Sequence, residues 1–175
     1  MADTSTLDSL RTEIIESQKV RSDFLKLKLL ICAVVGATAL GLSEMGAKAP
    51  LALAVIPLAC LYVDLLCRHL SLRNYAIGRF LETSDHSDAM IRAYEEYYHK
   101  ASDGWFSLEG LALVGSTGVV SVIVYFVGMS ALDKPLLSWE WPALLFPASS
   151  GLALILSVAL HIYYRLLRRR YKNAR

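Results

Sequence analysis

Four apolar stretches, each close to the length a helix needs to cross a bilayer, constrain this chain more than any other feature. They run approximately Leu27 to Leu42, Pro50 to Cys67, Gly110 to Met129 and Trp141 to Tyr164. About 20 helical residues, rising 1.5 Å each, cover roughly 30 Å of hydrocarbon. Composition agrees: 55% of the 175 residues are hydrophobic and 19% charged. That balance is too apolar for a soluble domain of this size. The first stretch is short in strictly apolar residues. Lys26 and Lys28 are expected to extend it by laying their stems beside Phe24, Leu25 and Leu27, with the ammonium groups turned toward water.

Orientation follows from the basic residues. Arg11, Lys19, Arg21, Lys26 and Lys28 precede or enter the first stretch; Arg68, Arg73, Arg79, Arg92 and Lys100 lie between the second and third; and RLLRRRYKNAR ends the chain. Only Lys48 and Lys134 fall in the other two connections. Positive charge stays on the cytoplasmic side, which predicts a multi-pass membrane protein with both termini and the central segment cytoplasmic. Trp139 and Trp141 then mark the outer interface, and Trp105, Tyr163 and Tyr164 the inner one. Acids at Asp3, Asp8, Glu13 and Glu16 argue against a secretory signal.

The expected fold is all-α, an integral membrane protein with four transmembrane helices and a small cytoplasmic helical collar. Residues 1–26 form a cytoplasmic amphipathic helix, with Leu7, Leu10 and Ile14 at helical spacing, that runs unbroken into the first span. Residues 27–67 hold transmembrane helices 1 and 2, the second continuing past the bilayer toward Thr83. Residues 68–109 form the cytoplasmic segment, 110–164 transmembrane helices 3 and 4, and 165–175 a basic tail. N-cap oxygens in SDHSDAM start a helix carrying Met90, Ile91, Tyr94, Tyr97 and Tyr98, and SDG at Ser102 to Gly104 reads as a turn. The odd count of three cysteines, all in apolar runs, favours buried thiols over a disulfide framework.

The stretch DLLCRHLSLRN, Asp64 to Asn74, gathers charge where the second span leaves the membrane. A carboxylate in hydrocarbon must pair, meet water or face the bundle interior. Asp64 and Arg68, four apart, can clamp one another on one helix face. The alternatives are a hydrated pore mouth or lipid-headgroup site, and chemistry. Cys60, Asp64 and Cys67 do not make a metal set, so no metal and no cofactor is expected. The polar residues able to line an opening are Asp64, Arg68, His69, Arg73, Ser116, Thr117 and His161. His161 is expected to hydrogen-bond a neighbouring helix. Glu109 reads as an N-terminal cap on the third span. Small-residue rows at Ala33, Ala37 and Gly41, at Ala112 and Ser116, and at Thr117 and Ser121 permit close helix contact within one chain or between copies. Arg165, Arg168, Arg169, Arg170 and Lys172 suit anionic lipid or a partner, at about 1 kcal/mol for each basic side chain near the surface. Nucleic acid is the lesser reading, given a formal charge of only +2.

Two segments, RFLETSDH and RAYEEYYH, place His86 after Arg79 and His99 after Arg92 with six residues between. This resembles the loose R-x(4-6)-H motif of HEPN ribonucleases, in which arginine would stabilise phosphate charge and histidine transfer a proton. Phe80 and Ala93 stand where that family favours a polar residue. The strings RSDFLKLKLL and LYVDLLCRHLSLRN resemble those of small bacterial multi-span membrane proteins. Together with the arginine–histidine pattern they are similar to the membrane accessory protein of Cas13b-type, RNA-targeting CRISPR systems, mainly over Arg21 to Asn74. The resemblance implies an oligomeric pore that supports antiphage defence by depolarising the cell. Three functions are therefore carried forward. The first is a homo-oligomeric permeability effector, not an enzyme, controlled through its cytoplasmic helices. The second is a non-conducting membrane anchor that recruits a soluble cytoplasmic protein. The third is a ribonuclease.

Overall fold

A computed structural model of the chain describes residues 4–42, 49–83, 89–136 and 139–173, with side chains at 9–10, 12–42, 49–81, 110–136 and 139–170. These residues form four helices: α1 Thr4–Ala39, α2 Ile56–Thr83 led in by a 3-10 segment Pro50–Val55, α3 Ala89–Ala131 and α4 Leu145–Asn173. No strand occurs among them. Pro50 and Pro57 sit where a missing N–H costs least, at the first turn of the 3-10 segment and of α2. The single long rod expected from the N-terminus into the first apolar stretch is present as α1, whose 36 residues span about 54 Å.

Two helices end in the same way. After α1, the Leu42 N–H bonds the Ala37 carbonyl and the Gly41 N–H bonds that of Thr38. Gly41 takes φ 73°, a left-handed conformation that suits a residue without a Cβ. After α3, the Lys134 N–H bonds the Met129 carbonyl and the Asp133 N–H bonds that of Ser130, with Asp133 itself at φ 52°. Both ends thus satisfy carbonyls that the helices leave open.

The turn expected at Ser102 to Gly104 is absent. α3 runs through it as one helix of 43 residues. A single glycine costs a helix only about 1 kcal/mol, and the strongly apolar run from Gly110 extends the helix in spite of it. At 1.5 Å per residue, α3 is about 65 Å long, roughly twice the hydrocarbon thickness.

Among the described residues, three segments are long and apolar enough to cross a membrane: Pro50–Leu81, Gly110–Ala131 and Leu145–Arg170. The second half of α1 carries Asp23, Lys26 and Lys28 and does not meet that standard by composition. α1 and α2 run antiparallel, as contacts from Ser17 to Asn74, Lys28 to Asp64 and Cys32 to Cys60 require. α2 and α4 run parallel: Arg68 meets His161 and Tyr164, and Tyr75 meets Arg168 farther along.

The burial pattern departs from that of a soluble bundle in two ways. Lys28, Asp64, Arg68, Ser71, Thr117, Ser121 and Ser157 are buried, while Leu29, Val34, Val119, Ile123, Ile155 and Ile162 are exposed. Exposed apolar surface on this scale marks contact with another apolar phase, and here it covers the outer faces of the helices. One end of the bundle is conventionally hydrophobic, with Ile56, Cys60, Val124, Met129 and Phe146 in one cluster. There α3 and α4 approach so closely that a Cβ on Gly128 would fall 2.4 Å from two Phe146 ring carbons. Trp139 and Trp141 are exposed beyond that end, which suits an interfacial position.

Candidate functional site: a buried charge layer

The centre of the site is Asp64, 1% exposed on α2. Its partner is Lys28 of α1, whose Nζ donates to Asp64 Oδ1 at 2.8 Å, to Ser116 Oγ at 2.8 Å and to Thr117 Oγ1 at 2.9 Å. The three ammonium protons are thereby all used. Thr117 Oγ1 donates its own proton to Asp64 Oδ2, and Ser116 Oγ donates to the Leu113 carbonyl. The result is a closed network across α1, α2 and α3. An ion pair of this kind is tolerated away from water only when its remaining donors and acceptors are met, as they are here.

One turn toward the other end of α2, Arg68 forms a second layer. Its guanidinium lies 3.5 Å from His161 Nδ1, donates to the Gly110 carbonyl at 3.4 Å and sits 5.7 Å from the centre of the Tyr164 ring. Gly110 makes this packing possible, because a Cβ there would fall 2.7 Å from His161 Cε1. Farther along, Arg168 lies over Tyr75 at 4.8 Å. Ser157 of α4 stands four residues before His161, as Asp64 stands four before Arg68, so the parallel register sets it level with the carboxylate. Its hydroxyl and that of Ser121 are buried and make no hydrogen bond among the described residues. Ser121 instead offers its carbonyl to Ser150 Oγ at 3.0 Å. Polar groups therefore run as a column through the interior, from Ser150 past Thr117 and Asp64 to Arg68, His161 and Arg168.

Of the residues expected to line an opening, Asp64, Arg68, Ser116, Thr117 and His161 come together inside one chain. His69 and Arg73 do not, since both are exposed on α2 and Arg73 pairs with Glu13 at 2.6 Å. His161 does meet a neighbouring helix, as its position led us to expect. The Asp64 to Arg68 clamp is replaced: Asp64 takes Lys28, and Arg68 turns to α3 and α4. Lys28 does not reach for water; it is 5% exposed and points inward. Sequence reasoning treated Lys28 as a snorkelling end and so missed the counterion. The available signal was one lysine and one aspartate in adjacent apolar segments, each near the same end of its span.

The remaining candidates lie elsewhere. Arg79 is partly buried on α2, while His86, Arg92, His99 and Glu109 fall outside the described side chains, and both arginine–histidine pairs with them. Arg165, Arg169 and Arg170 are exposed on the last turns of α4, Arg168 is partly buried, and the Lys172 side chain is outside the described set. Cys32, Cys60 and Cys67 are free thiols, with Cys32 and Cys60 sulfurs 3.5 Å apart. Among the described residues no group of three or more potential metal ligands occurs. No protein-family model, curated protein or solved structure matches the chain. The apolar exterior and the buried charge layer define a helical protein suited to a membrane.

Proposed function

We propose that this chain is a four-span bacterial inner-membrane protein that controls permeability, and that the Lys28–Asp64 layer holds it closed. The observation that carries the reading is the charge pair with its two hydroxyls inside the apolar part of the bundle. Ionisable groups at such depth are expensive and mark ion pathways, relays or counterions more often than packing. α1 is the fourth span: pairing with Asp64 neutralises Lys28, and its outward Leu25, Leu27, Leu29, Leu30 and Val34 suit lipid. The cytoplasmic side takes both termini and the 68–109 segment, by the distribution of arginine and lysine. Arg165, Arg169 and Arg170 then meet anionic headgroups. Assembly into a homo-oligomer, a cytoplasmic partner and a role in antiphage defence rest on the resemblance described above.

Opening means separating Lys28 from Asp64 so that water replaces the ammonium contacts, because charged groups cannot be left bare in lipid. The test is dye or ion flux in proteoliposomes containing wild-type protein, Asp64→Asn or Lys28→Met. We expect low flux from the wild type and higher flux from variants that elute and fold like it. Folded variants no leakier than empty vesicles would overturn the reading. A second function, a non-conducting anchor for a soluble protein, is favoured by one observation: Lys28 and Asp64 are fully engaged within the chain. It predicts that second result.

A further inference from the structure

The hydrogen directions in the buried layer define more than a salt bridge. Ser116 Oγ commits its proton to the Leu113 carbonyl, and Thr117 Oγ1 commits its proton to Asp64 Oδ2. Neither acceptor gives a proton in return in these contacts. Each hydroxyl therefore turns a lone pair, not a proton, toward the Lys28 ammonium. With Asp64 Oδ1, three oxygens converge on one position at 2.8–2.9 Å and bring one formal negative charge. An oxygen set with one negative charge is a receptor for a monovalent cation, whatever carries that cation. The distances exceed the roughly 2.3–2.6 Å of calcium–oxygen bonds and the about 2.0–2.1 Å of magnesium, so the position suits a large, weakly hydrated ion.

The ion now in that position is tethered to a helix that reaches α3 through side chains: Phe24 packs against the cluster that holds Leu113, and Ala39 belongs to the cluster that holds Val124 and Met129. Among the described residues, α1 packs against α2 and the 3-10 segment, and no Cα of α1 lies within 8 Å of α3 or α4. The Lys28 ammonium bridges that gap to Ser116 and Thr117 at the end of a flexible side chain.

We propose that Asp64, Ser116 and Thr117 form a binding site for a large monovalent cation of the potassium or ammonium class, and that Lys28 is its built-in competitor. When α1 is in place the lysine occupies the site; when α1 moves away, a free cation takes its place. This deepens the proposed function and rests on it for the role of the site, though the site's chemistry stands on the three oxygens alone.

The test is thermal unfolding of the full chain in detergent, for wild type, Lys28→Ala and Lys28→Gln, in KCl, NaCl and choline chloride at matched ionic strength. Choline is too large for the space of an ammonium group. Removing Lys28 should make Tm depend on K+, with a rise of about 5 °C or more over choline once K+ exceeds its Kd a hundredfold. Wild type should show no such difference. Adding Thr117→Val to Lys28→Ala should abolish the K+ effect. Folded protein recovered in KCl but not in choline chloride supports the site. Equal Tm in KCl and choline chloride for a folded Lys28 variant overturns it, and so does loss of fold in both salts for both variants, since a bound K+ should replace the missing ammonium. If the K+ effect fails while flux responds to Asp64→Asn, only the ligand assignment falls. If flux fails while the K+ effect holds, only the permeability function falls.

Discussion

Lys26 and Lys28 stand two residues apart on α1, and each forms an ion pair of similar length. Lys26 reaches Asp23 at 2.9 Å with both side chains about three-quarters exposed, at 74% and 70%. Lys28 reaches Asp64 at 2.8 Å with the pair at 6% and 1%. One pair is local and solvated; the other joins residues 36 positions apart on two helices and is shut off from solvent. Distance alone would rank them as equals. What separates them is what happens when one partner is removed: water or headgroups replace it at Lys26, whereas at Lys28 a charge is left with nothing comparable to solvate it.

The strongest way to break this contrast is to remove one buried partner. Asp64→Ala should lower unfolding stability in detergent by about 3–5 kcal/mol, because it strands Lys28. The double variant Lys28→Met with Asp64→Leu should recover most of that loss, since replacing both charges by apolar groups of similar volume is often neutral or better. A double variant no more stable than Asp64→Ala alone would show that the layer holds the bundle by something other than its charges.

Next in size is a control that perturbs packing without touching charge. Gly128→Ala sets a Cβ against the fully buried Phe146 ring, which has no room to withdraw, and should cost about 1–3 kcal/mol. Unlike the Asp64 variant, it should leave flux through proteoliposomes unchanged; a large flux increase would blur the distinction between the apolar end and the charge layer.

Smaller still is the exposed pair itself. Lys26→Ala should change stability by no more than about 0.5 kcal/mol, the usual worth of a solvated pair within one helix. A loss approaching that of Asp64→Ala would erase the contrast from the other side.

The mildest test uses the pair Lys134–Glu140, 2.5 Å apart in the connection between α3 and α4. The hydrogen bond from Lys134, followed by its positive charge, holds the Glu140 carboxyl below its ordinary value of 4.5. A lowered folded-state value means that the pair stabilises above the unfolded carboxylate range and that this contribution fades as pH falls through the folded value. The Tm difference between wild type and Glu140→Gln should therefore be small at neutral pH and vanish in acid. A difference that grows in acid would contradict the sign.

Much of the architecture could be read along the chain. The long α1 rod, the extension of α2 toward Thr83, the apolar core of α3 and α4 and the exposed Trp139 and Trp141 all follow from hydropathy, breaker residues and length. The turn expected at Ser102 to Gly104 does not form, because a short turn motif competes poorly with helix on both sides. The site was half legible. Asp64, Thr117, Ser116, Arg68 and His161 were picked out as polar residues in apolar surroundings, which is a property of sequence. That Arg68 belongs with His161 and Tyr164, and that Gly110 makes room for the imidazole, needed the packing of α3 on α4.

Sequence by itself determined that this chain builds long helices with apolar exteriors, since segment length and side-chain hydropathy act one residue at a time. Tertiary structure alone decided which cation Asp64 would hold. Arg68 is four residues away and Lys28 thirty-six, yet the antiparallel register of α1 on α2 brings the lysine to the carboxylate, and the turn of α2 directs the arginine elsewhere. Pairing of buried charges is settled by the space between helices, and separation along the chain carries no information about that space.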